Sequence, residues 1–304
     1  MMNCRCKKKL PENYEENREN VFQNRIMYSV PVHIGMWDEE MALREDKMRI
    51  TAYKRDRCQL LIQKNKKMFR NVLKSTVLAI ESPFVLFGQN YQVRASDFTT
   101  KDSSGFCLSG VINERDIDYI QHFKHGCGLS ASPLKQPCVR NTFKIMGTRS
   151  NKEGQQVFFG EDVLLQICES SGPPLYIQCE NSTMDSFGGH LSVRLSECPD
   201  IYCRFKFYHW NPQKRTKTNG TTFKPDTRVI IQHTASGRNL AFEPGQWMPT
   251  FYGPELQVSC HTYRDSHKME TIENFWKIVT RPLSDAALLV RAAKGENIPM
   301  DLFE

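Results

Sequence analysis

Short runs of alternating apolar and polar residues dominate the chain from about residue 84 to 280, and they recur in sets. The stretch "NTFKIMGT" (Asn141 to Thr148) centres on an aromatic residue, a lysine and an apolar residue. The same triplet returns in "FKFY" from Phe205 and "WKIV" from Trp276, 62 and then 71 residues on. Other features recur in the same order. "LSA" (Leu129 to Ala131) and "LSV" (Leu191 to Val193) stand fourteen residues before Phe143 and Phe205, and "LQV" (Leu256 to Val258) stands twenty before Trp276. Each set opens on an aromatic and a tight-turn residue: "LFGQNYQVRA" around Gly88, "FFGEDVLLQI" around Gly160 and "FKPDTRVIIQ" around Pro225. A second apolar patch follows at Phe106, Leu175 and Asn239. Val, Ile, Phe and Tyr at period two between Gly, Pro, Asn and Asp clusters are strand signals.

Four strand-like runs, three times over, predict a mainly β fold: a β-trefoil-like barrel of three repeats over residues 80–281. No single repeat can bury its apolar face alone. Phe143, Phe205 and Trp276 then become equivalent core aromatics. Lys144, Lys206 and Lys277 face outward, because side chains alternate along a strand. The flanks read as an irregular N-terminal tail (1–29), a segment with a basic amphipathic helix (30–79) and a C-terminal tail (282–304).

Charge changes the picture at the N-terminal side. Residues 1–74 carry 17 Lys and Arg against 10 Asp and Glu, whereas residues 75–304 carry 24 of each, so the whole excess of +7 precedes the barrel. Between Arg44 and Lys74 stand eleven basic and three acidic residues. Cys58, Leu61, Ile62, Phe69 and Val72 recur there at helical spacing, leaving Arg57, Lys64, Lys66, Lys67 and Arg70 on other faces. Asp38, Glu39 and Glu40 suit a helix start, where the dipole favours carboxylates. These five basic residues are the candidate partner-binding side chains. A basic stripe alone specifies only an acidic partner. No base-reading motif accompanies it, which argues against nucleic acid. Its apolar face lacks the Trp- and Leu-rich stripe of a membrane-surface helix.

Chemistry adds little. The start has no apolar signal core and no stretch is long and apolar enough to cross a bilayer, so a cytosolic protein with reduced thiols is expected. The sequons at Asn181 and Asn219 are then idle, and Cys4 and Cys6 beside Lys7 to Lys9 belong to the polar tail. "HFKHGCG" brings His122, His125 and Cys127 together, and "CHTYRDSH" offers Cys260, His261, Asp265 and His267. Neither has paired zinc spacing. There is no phosphate-cradling glycine loop, GxSxG or HExxH. No cofactor and no enzymatic activity are expected.

Four segments, "VPVHIGMWDEE" at Val30, "CQLLIQKNKKM" at Cys58, "HGCGLSASPLKQPCVRNTFKI" at His125 and "CHTYRDSHKMETIENFWKIVTRP" at Cys260, resemble the cilia- and flagella-associated protein 161 family. The resemblance spans about residues 30–282. It implies a microtubule inner protein bound to α/β-tubulin and to neighbouring inner proteins in the A-tubule lumen of ciliary and flagellar doublets. That location is the axoneme, within the cytoskeleton. The barrel is similar to trefoil domains called MIR, whose fourth strand reads Asn-x-aromatic-x-apolar. Asn141 and Asn274 fit, whereas the middle repeat has Cys203. The resemblance carries no catalytic residues. The alternative is a glycan- or ligand-binding trefoil. Against it, the Gln-x-Trp of ricin-type lectins is absent from the corresponding Asn141-Thr142-Phe143, Cys203-Arg204-Phe205 and Asn274-Phe275-Trp276.

Overall fold

The computed structural model describes residues 37–96, 105–113, 116, 119–148, 153–170, 172–179, 190–281 and 294–295. The tails 1–29 and 282–304, apart from residues 294–295, lie outside the described residues, as do Cys4, Cys6 and the Asn181 sequon. The chain divides into two compact units, Met1–Leu60 and Leu61–Glu304.

In the first unit, helix α1 (Trp37–Asp56) starts with Asp38, Glu39 and Glu40 in its first turn and ends with Lys54 and Arg55 in its last. Both ends therefore complement the helix dipole. Glu40 pairs with Arg44 at 2.7 Å and Glu45 with Arg49 at 3.4 Å, each at spacing i,i+4. The single basic helix expected between Arg44 and Lys74 is not formed. Cys58 adopts a left-handed φ of 55°, with Cys58 N donating to Arg55 O and Gln59 N to Lys54 O. This paired return of N–H groups to the last turn ends a helix. A second helix then starts, α2 (Leu61–Val72).

The second unit is mainly β. Its described strands are β1 (Asn90–Ala95), β2 (Cys107–Val111), β3 (Gly128–Ser132), β4 (Phe143–Gly147), β5 (Asp162–Ile167) and β6 (Tyr176–Cys179). They continue as β7 (Leu191–Ser196), β8 (Arg204–His209), β9 (Arg228–His233), β10 (Leu240–Thr250), β11 (Gly253–Cys260) and β12 (Phe275–Val279). A short helix, α3 (Pro212–Thr218), joins β8 to β9. Strands β1, β4, β5, β8, β9 and β12 pair antiparallel in that cyclic order, β12 closing on β1. The hairpins β2–β3, β6–β7 and β10–β11 also pair among themselves, through β3–β11, β7–β11 and β3–β7.

The opening triplets sit at equivalent places in this ring. Phe143, Phe205 and Trp276 are 0% exposed, and Lys144, Lys206 and Lys277 are half-exposed between them. Each of the three sets of sequence runs also enters its first strand through one left-handed residue: Gly88 (φ 80°), Gly160 (φ 79°) and Asp226 (φ 61°). Their N–H groups donate to Ile145, Phe207 and Ile278, each two residues after the core aromatic. The turn residue of the third set is thus Asp226 and not Pro225, because the proline ring holds φ near −65°. Asp tolerates the left-handed region better than most residues.

Before β4, β8 and β12 stands a single 3-10 turn: Val139–Asn141, Ile201–Cys203 and Ile272–Asn274. Before β4 and β12 an asparagine ties the preceding chain. Asn141 donates to the Leu134 and Gln136 carbonyls, and Asn274 to those of His261 and Leu240. Before β8, where Cys203 stands, Asp200 serves instead, its carboxylate accepting from Tyr202 N at 2.9 Å. The nine described cysteines are all free thiols.

Candidate functional site

Helix α2 is amphipathic, but its buried stripe is not the expected one. Met68 and Val72 are buried, at 0% and 1% exposure, and Phe69 packs partly against the core. Leu61 and Ile62 are 58% and 75% exposed, and Cys58 is exposed and outside the helix. The tip of the β10–β11 hairpin receives the buried stripe. Tyr252 donates its hydroxyl to Met68 Sδ at 3.2 Å, and its ring meets Phe69 edge-on at 5.5 Å. The helix end is fixed by Val139 N donating to Lys74 O, by Asn71 donating to Gln121 O, and by a Lys74–Glu169 ion pair at 3.0 Å.

Under Tyr252 lies a buried ion pair. Arg140 and Glu255, both 0% exposed at the side chain, meet at 2.8 Å, and the guanidinium carbon sits 3.7 Å from the Tyr252 ring centroid. Ser130 donates to Glu255 Oε2 at 2.6 Å and Arg140 Nε to Gly110 O at 3.2 Å. Burial pushes the Tyr252 hydroxyl up to about 12, against the pull of Arg140. These contacts fix which way α2 is turned. Lys66, Lys67 and Arg70 are exposed and Lys64 is half-buried. Arg57 lies in the first unit, exposed, with its guanidinium 4.3 Å from the Tyr53 ring centroid.

The two Cys/His clusters are dispersed by the fold. His122 stands 3.0 Å from Asn71 Nδ2, Cys127 is buried and His125 is exposed. Asp265 is occupied in a turn, accepting from His267 N and Met269 N. Cys260 is fully buried, which raises its thiol pKa. Among the described residues no group of three or more His, Cys, Asp or Glu is arranged to hold a metal ion.

His261 joins a new constellation. It stacks on His190 at 3.8 Å between centroids, and His190 Nδ1 lies 2.7 Å from Glu243 Oε1. The buried Glu243 also accepts from Ser259 and Tyr263. Sequence reasoning missed this cluster, since residues 190, 243 and 261 meet only through the hairpin pairing. His190, Glu243 and Ser259 also line a small cleft with Leu191, Ser192, Gln246 and Gln257.

This cluster sets a pH dependence. Burial, and then His190, hold His261 below the usual imidazole range, although Glu243 opposes. Burial and then Lys214 do the same to His209. The unfolded chain therefore binds these protons first, and stability is lost as pH falls through the unfolded imidazole value of about 6.5. Melting temperature should drop between about pH 7.5 and 5.5, and the drop should shrink in His261→Gln. A rise on acidification would contradict the assignment.

A family profile described as cilia- and flagella-associated protein 161-like domain matches residues 64–189 and 186–281. Cilia- and flagella-associated protein 161 of Mus musculus is 29% identical over 268 residues, covering 84% of this chain and 88% of that protein. The Bos taurus protein of the same name is 28% identical over 281 residues, covering 88% of this chain and 87% of its own. Among solved structures, the SDF2-like protein from Arabidopsis thaliana superposes with a TM-score of 0.46 at 15% identity, covering 66% of this chain and 98% of that one. No described helix is long and apolar enough to cross a membrane. The profile match extends over most of the second unit, α2 included from Lys64, and the chain belongs to the cilia- and flagella-associated protein 161-like family.

Proposed function

We propose that this chain is a non-catalytic structural protein of cilia and flagella. It acts as a microtubule inner protein, binding α/β-tubulin and neighbouring inner proteins in the A-tubule lumen of axonemal doublets. In this reading the ring of six strands capped by three hairpins is a β-trefoil of the MIR type, a rigid carrier for α2. The observation that carries the reading is the fixed orientation of α2. Met68, Phe69 and Val72 hold it to the barrel while Lys66, Lys67 and Arg70 face out. An acidic protein surface complements such a face, which speeds encounter and holds register. The glycan-binding alternative has less support, since the relatives matched are named as ciliary and flagellar proteins.

Neutralising Lys64, Lys66, Lys67 and Arg70 together with glutamine should weaken incorporation into axonemes. Exposed substitutions usually cost no more than about 0.5 kcal/mol each, so the barrel should stay folded. The measurement is the fraction of tagged protein that remains with detergent-extracted axonemes, compared at low and physiological salt. Normal retention of the folded variant would remove α2 as the contact surface. Complete release of the wild-type protein by detergent would remove the luminal placement.

A further inference from the structure

Residues 75–304 are neutral as a whole but not in their parts. Residues 201–225 carry six Lys and Arg and no Asp or Glu. The middle of this stretch is α3, which packs beside the end of β8. Its cap is Asn211, whose side chain accepts from Gln213 N, and Pro212 occupies the first turn. That turn holds no carboxylate, while Arg215 and Lys217 stand in the last. Lys214, close behind the N-cap, runs against the helix dipole, so helix stability does not account for it.

Arg215 is used internally, donating to the carbonyl of His209 and pairing with Glu270 at 3.0 Å. Lys214, Lys217 and Lys224 are exposed and form no ion pair with a described residue. An aromatic shelf, His209 and Trp210, stands just before α3. The half-buried Trp210 stacks with His209 at 5.8 Å, and the Arg228 guanidinium lies 5.9 Å from its ring. Lysines that follow an aromatic pair on one short segment fit an acidic surface that also carries apolar side chains.

The position of α3 in the ring gives this patch its meaning. Strand β5 serves as a ruler, since β4 and β8 both pair with it. Phe143, at the start of β4, lies opposite Ile167, the last residue of β5. Lys206 of β8 lies opposite Asp162, the first residue of β5, and β8 runs on from there to His209 and α3. Helix α2 is tied to the other end, through Lys74 O and Val139 N just before β4. The two basic helices are therefore tied to opposite ends of one barrel, since the anchor points at Phe143 and Lys206 lie five residue steps apart along β5, about 17 Å.

We propose that α3 with Lys224 forms a second docking face for an acidic protein surface, and that the protein bridges two such surfaces end to end. The bridge rests on the reading of α2 given above, whereas the α3 face does not. The test uses polyglutamate-coated beads, the full chain, and two variants: Lys214→Gln/Lys217→Gln/Lys224→Gln, and the glutamine variant of α2. Binding to single beads and clustering of beads are read separately, with circular dichroism as the folding check.

Wild type should bind and cluster the beads. The α3 variant should still bind through α2, but clustering should fall about tenfold or more, because two linked contacts hold far better than one. Unchanged clustering by the α3 variant would overturn the second face alone. Unchanged clustering by the α2 variant, with loss in the α3 variant, would overturn the α2 reading and the bridge while leaving the α3 face standing. Stronger competition by duplex DNA than by polyglutamate of equal charge would overturn the choice of an acidic protein as partner.

Discussion

Replacing Trp276 by alanine is expected to destabilise the protein by about 3–5 kcal/mol, the usual loss for a fully buried aromatic. Trp276 is 0% exposed, meets Phe242 edge-on at 6.2 Å and donates Nε1 to Leu240 O at 2.9 Å. It lies where β12 pairs with both β1 and β9, so a cavity there loosens two seams of the ring. Trp276→Phe should cost much less. The other two triplets already carry a buried phenylalanine, Phe143 and Phe205, and Leu240 O keeps a second donor in Asn274 Nδ2. Lys277→Ala should stay within about 0.5 kcal/mol of wild type, as a half-exposed substitution usually does. Urea unfolding measures all three, with a lower midpoint at unchanged slope as the sign of lost stability. A larger loss in Lys277→Ala than in Trp276→Ala would reverse the strand facing and sink the equivalence of the three aromatics.

That contrast between neighbouring residues was legible in the sequence because strand burial has period two and the triplet recurs three times. The turns were legible where glycine marks them, at Gly88 and Gly160. At the third turn, proline draws the eye and Asp226 does the work of the glycine. The break between α1 and α2 was hidden for the same reason: a helix stop is usually announced by glycine, and here Cys58 takes the left-handed conformation. Within α2, Met68 was overlooked in favour of Leu61 and Ile62. Helical spacing gives a stripe but not its extent, and the first turn of α2 leaves both residues mostly exposed. The Arg140–Glu255 pair had no sequence signature at all. Its members stand 115 residues apart, and a charged residue in a turn, as Arg140 is, or on a strand, as Glu255 is, ordinarily reads as a solvated one.

That pair carries the second large effect. Arg140→Ala or Glu255→Ala should each cost about 3–5 kcal/mol, since each leaves one charge buried without its partner. The joint change Arg140→Met/Glu255→Leu should cost far less than the sum of the two single losses. Arg140 Nη1 and Glu255 Oε1 have no hydrogen-bond partner among the described residues, so the pair is incompletely compensated there and an apolar replacement gives up little. A double-mutant cycle built on urea unfolding measures the coupling directly. The functional consequence follows from geometry. Arg140 underlies the Tyr252 ring, Tyr252 holds Met68, and Met68 with Phe69 and Val72 decides where Lys66, Lys67 and Arg70 point. In the apolar double variant the core is refilled but the cation under Tyr252 is gone. Hydrogen exchange should therefore quicken in α2 while the strands of the ring stay protected, and axonemal retention should weaken without global unfolding. Single variants as stable as wild type would mean that the pair is reached by water. Unchanged exchange in α2 of the double variant would show that Met68 and Val72 alone orient the helix, and would separate the buried pair from the basic face.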